Sequence, residues 1–168
     1  MATLLQKITT TYSEREDRLR LAGQDAAGTT TAVLWLTQRL TNRLVRTLTQ
    51  WLEGEGAGAL TAMAPDLRHA WAQEAAVRQL QPSAPVQVAQ EAPATPVESI
   101  DLGRDSDRYT IVFRQADAAS ALTLSSTELR QWLGMVRSLY QTAGWPLTDW
   151  PVWMEESPKA VQHPALFH

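Results

Sequence analysis

Histidine is the side chain best suited to ligate a metal or carry a proton near neutrality, and this chain holds three, His69, His163 and His168. None stands at ligand spacing from another histidine or from a carboxylate pair in a patterned segment, so no metal and no cofactor is expected. Cysteine is absent, which removes disulfides, thiolate catalysis and Cys-built zinc sites. Gly54, Gly56 and Gly58 lack both the Lys-Ser/Thr that completes a phosphate loop and a preceding strand, so they read as an ordinary loop. Ser125 and Ser126 sit where a helix needs its N-cap rather than in a strained nucleophile turn. Glu155 and Glu156 fall in a Pro-bounded tail, and Asp105 and Asp107 in a polar turn, so neither pair has a cleft for acid–base work. The chemistry-bearing residues point away from an enzyme with a small-molecule substrate and toward binding and assembly.

Two clusters suit binding. Arg39, Arg43 and Arg46 are spaced i, i+4, i+7 and share one helix face; with Arg18 and Arg20 on an exposed strand face they would make a patch for phosphate or an acidic partner. The simpler reading of the same arginines is a solvated face, or one paired with the acidic middle of the chain. Trp145, Trp150 and Trp153 lie within nine residues of one another in GWPLTDWPVWM, and three indoles are not left in water without cause. They are expected either to anchor a protein partner or sister subunit, or to fold back and cap the chain's own sheet.

Charge by segment separates these clusters. Residues 1–52 carry seven Lys or Arg against four Asp or Glu, residues 53–107 three against nine, and residues 108–168 five against five. A net charge of −3 gives no global field for polyanions, so any nucleic-acid contact must be local. Met1 to Tyr12 has only the apolar pair Leu4-Leu5, short of a signal peptide's apolar stretch, and no window approaches the roughly 20 apolar residues of a membrane span. A cytoplasmic protein without membrane contact is expected.

The elements that position these residues repeat. Gln6 to Tyr12 is β-branched, Asp17 to Ala22 alternates with Leu19 and Leu21 on one face, and Thr29 to Leu36 is a third strand pattern. Thr37 caps a helix from Gln38 to Leu52 with Leu40, Leu44, Leu48, Trp51 and Leu52 at helical spacing. The order returns with Ile100 to Gly103, Arg108 to Gln115 and Ala119 to Leu124. A capping box of Ser125 and Glu128 then opens a helix faced by Leu129, Trp132, Leu133, Val136, Leu139 and Tyr140. Between the copies, Pro65 opens a helix to about Gln81 with Leu67, Trp71, Val77 and Leu80 as its apolar face, and PSAPVQVAQEAPATP follows as an extended linker without a core.

The expectation is an α+β protein of tandem strand-strand-strand-helix units, antiparallel sheets covered by helices and related as a pseudo-twofold pair. Its segments are a first unit 1–53, a connecting helix region 54–81, a linker 82–97, a second unit 98–144 and a Trp/Pro tail 145–168. Should the two units separate, each would be marginal alone and self-association would be the remedy. Over residues 6–52 and 98–143 the element order resembles the Whirly and PUR families of single-strand nucleic-acid binders. Those families have four strands per unit where three are legible here. The resemblance implies nucleic-acid binding through exposed aromatics, for which Tyr12, Trp35, Tyr109 and Phe113 are the candidates. The residues themselves favour a non-enzymatic protein–protein interaction or assembly subunit.

Overall fold

The structure is a computed structural model that describes residues 1–55, 64–89 and 92–155. Gly56, Gly58, Glu156, His163 and His168 lie outside the described residues. The chain is α+β, with two four-stranded mixed sheets and three helices. The first unit supplies β1 (Thr3–Leu5), β2 (Lys7–Ser13), β3 (Arg18–Gln24), β4 (Thr30–Leu36) and α1 (Gln38–Glu53). After α2 (Pro65–Arg78), the second unit supplies β5 (Thr95–Pro96), β6 (Ser99–Asp105), β7 (Arg108–Arg114), β8 (Ala119–Ser125) and α3 (Ser126–Ala143). A 3-10 turn, Val152–Met154, follows.

Each unit has a fourth strand that its sequence pattern does not announce, and each gives that strand away. One sheet runs β2-β3-β4-β5 and the other β1-β8-β7-β6, so β1 completes the second unit's sheet and β5 the first unit's. Both exchanged strands pair parallel, β1 with β8 through Leu5 and Leu122, and β5 with β4 through Pro96 and Trp35. The other pairings are antiparallel meanders. Gly23 makes the crossing of β1 feasible: a Cβ there would stand 2.6 Å from Leu5 Cδ1, so the missing side chain is the space into which buried Leu5 fits.

The inner faces follow from strand alternation. Leu19 and Leu21 of β3 stand opposite Tyr12 and Thr10 of β2 on one side and Leu36 and Leu34 of β4 on the other. Tyr109, Ile111 and Phe113 of β7 do the same in the second sheet, fully buried. The helices also reach across. Trp51 of α1 stacks on Tyr109 at 6.3 Å, while Trp132 of α3 donates its indole N–H to Thr10 Oγ1 of β2 at 3.0 Å. Strands and helices together interlock the units around one core.

The linker is more than a tether. Thr10 faces α3, so its neighbour Thr9 faces outward, and Thr9 Oγ1 accepts the backbone N–H of Val86 at 2.8 Å. Val86 and Val97 are buried, and Val97 N–H donates to Trp35 O. The coreless reading of residues 82–97 is corrected by these two anchors. The expected face of α2 holds only in part: the helix buries His69, Gln73 and Ala76, leaves Leu67 and Trp71 exposed, and keeps Val77 half-buried beside Gly134. Gln73 Nε2 donates to Arg130 O at 2.8 Å and Gln131 Nε2 to Ala76 O at 2.8 Å, so polar pairing joins the packing of Ala76 and Val77 in seating α2 on α3. Among the described residues no helix is long and apolar enough to cross a membrane.

Candidate functional site

Helix α1 buries Thr41, Leu44, Val45, Leu48, Thr49 and Leu52. The opposite stripe is set by the same periodicity, and it carries Arg39, Arg43 and Arg46, all exposed. With Gln38 and Asn42 they line an open groove of about 330 Å³ over the first turns of the helix. Thr37 caps those turns, its hydroxyl accepting Leu40 N–H at 3.3 Å, and no acidic residue occupies the first turn. The positive end of the helix dipole therefore adds to the arginine charge.

Two groove residues are held from the second unit and the tail that follows it. Tyr140 of α3 donates its hydroxyl to Asn42 Oδ1 at 2.6 Å, which leaves the Asn42 amide N–H groups as donors. Arg46 donates from Nε and Nη2 to Asp149 Oδ1 at 3.1 and 2.8 Å. Arg39 and Arg43 have no ionic or hydrogen-bonding partner among the described residues. Three guanidiniums against one carboxylate leave the groove cationic and rich in donors, which is the chemistry of anion recognition.

The tryptophan segment is the support of this groove, not a free anchor. Trp145, Trp150 and Trp153 are 7%, 8% and 3% exposed. Tyr140 lies edge-on to Trp145 at 5.1 Å and to Trp150 at 5.3 Å. Trp145 Nε1 donates to Asp17 Oδ1 at 2.9 Å, beside the Tyr12 hydroxyl on the same oxygen at 2.8 Å. Trp153 Nε1 donates to Glu53 Oε1 at 3.0 Å, and its ring lies against Arg130 and His69. Burying one indole removes on the order of 200 Å² from water, about 5 kcal/mol, so withdrawing three to grip a partner would dismantle the core. Of the two expected destinations, partner or own chain, the three indoles take the second and fold back onto their own chain.

The other sequence candidates separate. Arg18 and Arg20 sit half-buried on the outward face of the first sheet, Arg20 opposite Trp35, and do not line the groove. Arg46 pairs with Asp149 rather than with the acidic middle segment. Of the stacking candidates, Tyr109 and Phe113 are wholly buried, while Tyr12 and Trp35 are half-buried.

Ser125, Ser126 and His69 each have a structural partner. Ser125 and Glu128 form the capping box, and the Ser126 hydroxyl donates to Glu55 Oε2 at 2.7 Å. His69 is buried with Nδ1 3.2 Å from Arg130 Nη2. Burial first, then the charges of Arg130 and Arg68, push its pKa below the usual value and keep it neutral. Burial, then a hydrogen bond to Glu55, raises that of Tyr109. Among the described residues no group of three or more His, Asp or Glu could hold a metal ion.

Gln38, Asn42, Tyr140 and Asp149 are the site residues that sequence reasoning missed. Asn42 was within reach, because it falls on the Arg39–Arg43–Arg46 face; Asp149 and Tyr140 join only through the fold. No known family, no curated protein and no solved structure matches the chain.

Proposed function

We propose that this chain is a non-enzymatic interaction protein whose α1 groove binds an acidic segment of a protein partner. The observation that carries the reading is the pair Arg39 and Arg43, exposed and without counter-charge among the described residues, beside an Asn42 whose carbonyl is already occupied. An acidic segment presents carboxylates that such guanidiniums take in bidentate fashion.

Single-stranded nucleic acid is the second reading, favoured by the four strands per unit that agree with the element order of the Whirly and PUR families. Element order alone does not carry function. Single-strand binding draws on exposed aromatic platforms, whereas Tyr109 and Phe113 are in the core and the outward face of β2 is crossed by the linker at Val86. A three-arginine groove would also neutralise few phosphates, giving a salt slope of only about −2. The acidic protein segment is therefore the better fit.

The test is fluorescence anisotropy with two labelled probes, a Glu-rich helical peptide and a thymidine 20-mer. Reversal of both Arg39 and Arg43 to Glu is expected to weaken the peptide about tenfold or more, since each exposed pair contributes up to about 1 kcal/mol and reversal adds repulsion. Tighter binding of the oligonucleotide than of the peptide, lost in the same variant, would transfer the groove to nucleic acid. Peptide affinity unchanged by the reversal would remove the groove from the account.

A further inference from the structure

Arg39 and Arg43 stand without a partner among the described residues, but the third arginine of the groove is already engaged. Arg46 donates from Nε and Nη2 to Asp149 Oδ1 at 3.1 and 2.8 Å. The carboxylate comes from a turn that the fold holds in place. Trp150 N–H donates to Leu147 O at 3.1 Å across Asp149, Pro146 and Pro151 flank the turn, and the Trp150 ring is buried against Tyr140 at 5.3 Å. The Asp149 side chain is accordingly only 22% exposed, whereas that of Arg46 is 57% exposed. The guanidinium is therefore the half of the pair that can swing, and the carboxylate the half that stays.

An acidic segment entering the groove meets the three arginines differently. At Arg39 and Arg43, about 6 Å apart along α1 at 1.5 Å per residue, it forms ion pairs that displace no carboxylate of the described residues. At Arg46 it can only exchange one carboxylate for another. The exchange also leaves Asp149, with most of its surface out of water, unpaired. Like for like with a partly buried charge left over is at best neutral. Asp149 is thus the ligand's own chemistry, built into the chain at one end of the groove.

We propose that Asp149 is an own-chain competitor for Arg46, so that the resting groove reads two ligand charges, at Arg39 and Arg43, and binds acidic segments more weakly than three available arginines would. The inference rests on the reading of the groove as a site for such a segment. It adds a specificity rule: acidic residues of the ligand that face Arg39 and Arg43 count toward affinity, and one that faces Arg46 does not.

Fluorescence anisotropy with the labelled Glu-rich helical peptide tests this in a cycle of wild type, Asp149→Asn, Arg46→Gln and the double variant. Asp149→Asn keeps the shape of the side chain and withdraws its charge. It is expected to tighten the peptide about threefold to fivefold, the gain that one exposed ion pair supplies, and Asp149→Ser to do the same. Removing any negative charge near the groove would favour an acidic probe, so the gain is measured again with Arg46→Gln in place, where it is expected to shrink to less than about twofold. Equal affinity of Asp149→Asn, Asp149→Ser and wild type overturns the inference, as does a gain of full size in the Arg46→Gln background; in both cases the loss on reversing Arg39 and Arg43 to Glu still stands and the groove is kept. A peptide indifferent to that reversal removes the groove itself, and the competitor with it.

Discussion

Replacing Tyr140 with Ala removes the side chain on which the tryptophan segment rests, and the cost can be worked from its contacts. The ring is fully buried and edge-on to both Trp145 and Trp150, while its hydroxyl donates to Asn42. Truncation of a buried aromatic to Ala costs about 3–5 kcal/mol. The hydrogen bond adds about 1 kcal/mol, kept small because half-buried Asn42 regains water. Tyr140→Ala is thus expected to lose about 4–6 kcal/mol, and Tyr140→Phe, which keeps the ring contacts, about 1 kcal/mol. With a urea m-value near 2 kcal/mol/M, these correspond to midpoint shifts of about 2–3 M and about 0.5 M at unchanged m. The assay is equilibrium urea unfolding followed by circular dichroism. If Tyr140→Ala costs less than about 1.5 kcal/mol, the ring is not enclosed by two indoles, and the folded-back segment that supports the groove is refuted. If the Ala variant fails to fold, the size of the Tyr140→Phe loss still decides, since a loss above about 2 kcal/mol is more than one solvent-accessible hydrogen bond supplies.

Gly23→Ala places a methyl where Leu5 is seated, and is expected to cost about 1–3 kcal/mol by overpacking, with amide exchange accelerated first at Leu5, which β1 brings to β8. A neutral substitution would contradict the strand exchange. His69 is neutral in the fold but titrates near pH 6.5 when unfolded, so on acidification the unfolded chain gains a proton that the folded chain lacks. Its contribution is complete above about pH 6.5 and is lost as pH falls from there through the folded-state value. In His69→Gln the fall in urea midpoint between about pH 7.5 and about pH 5.5 is expected to be smaller than in wild type; an equal fall would mean that His69 is solvated.

Local patterning made much of the fold legible. Arg108–Arg114 alternates so regularly that Tyr109, Ile111 and Phe113 could be assigned to one face, and the Ser125/Glu128 box marked the start of α3 to the residue. The exchanged strands were not legible, because Thr3–Leu5 and Thr95–Pro96 are too short for a period, and their pairing depends on residues far away: a side-chain-free Gly23, and the edges of β8 and β4. Helix α2 misled the periodicity argument since its buried side includes Gln73, hydrogen-bonded to α3, and His69, packed on Trp153, which apolar counting does not weigh. The crowded tryptophans were recognisable as exceptional. Their destination depended on Asp17, Glu53 and Tyr140, each distant in sequence from the indole it meets or visible only after folding. The arginine face of α1 was legible from spacing, while the groove required Asn42 turned by Tyr140 and Arg46 held by Asp149.

The most direct test of the central claim is nuclear magnetic resonance of the arginine Nε–H and asparagine side-chain amide signals during titration with the Glu-rich peptide. The account predicts shifts concentrated at Arg39, Arg43, Arg46 and Asn42, saturating together with one affinity. Shifts at Arg18 and Arg20 or at the Trp71 indole, with the four groove residues unmoved, would contradict it.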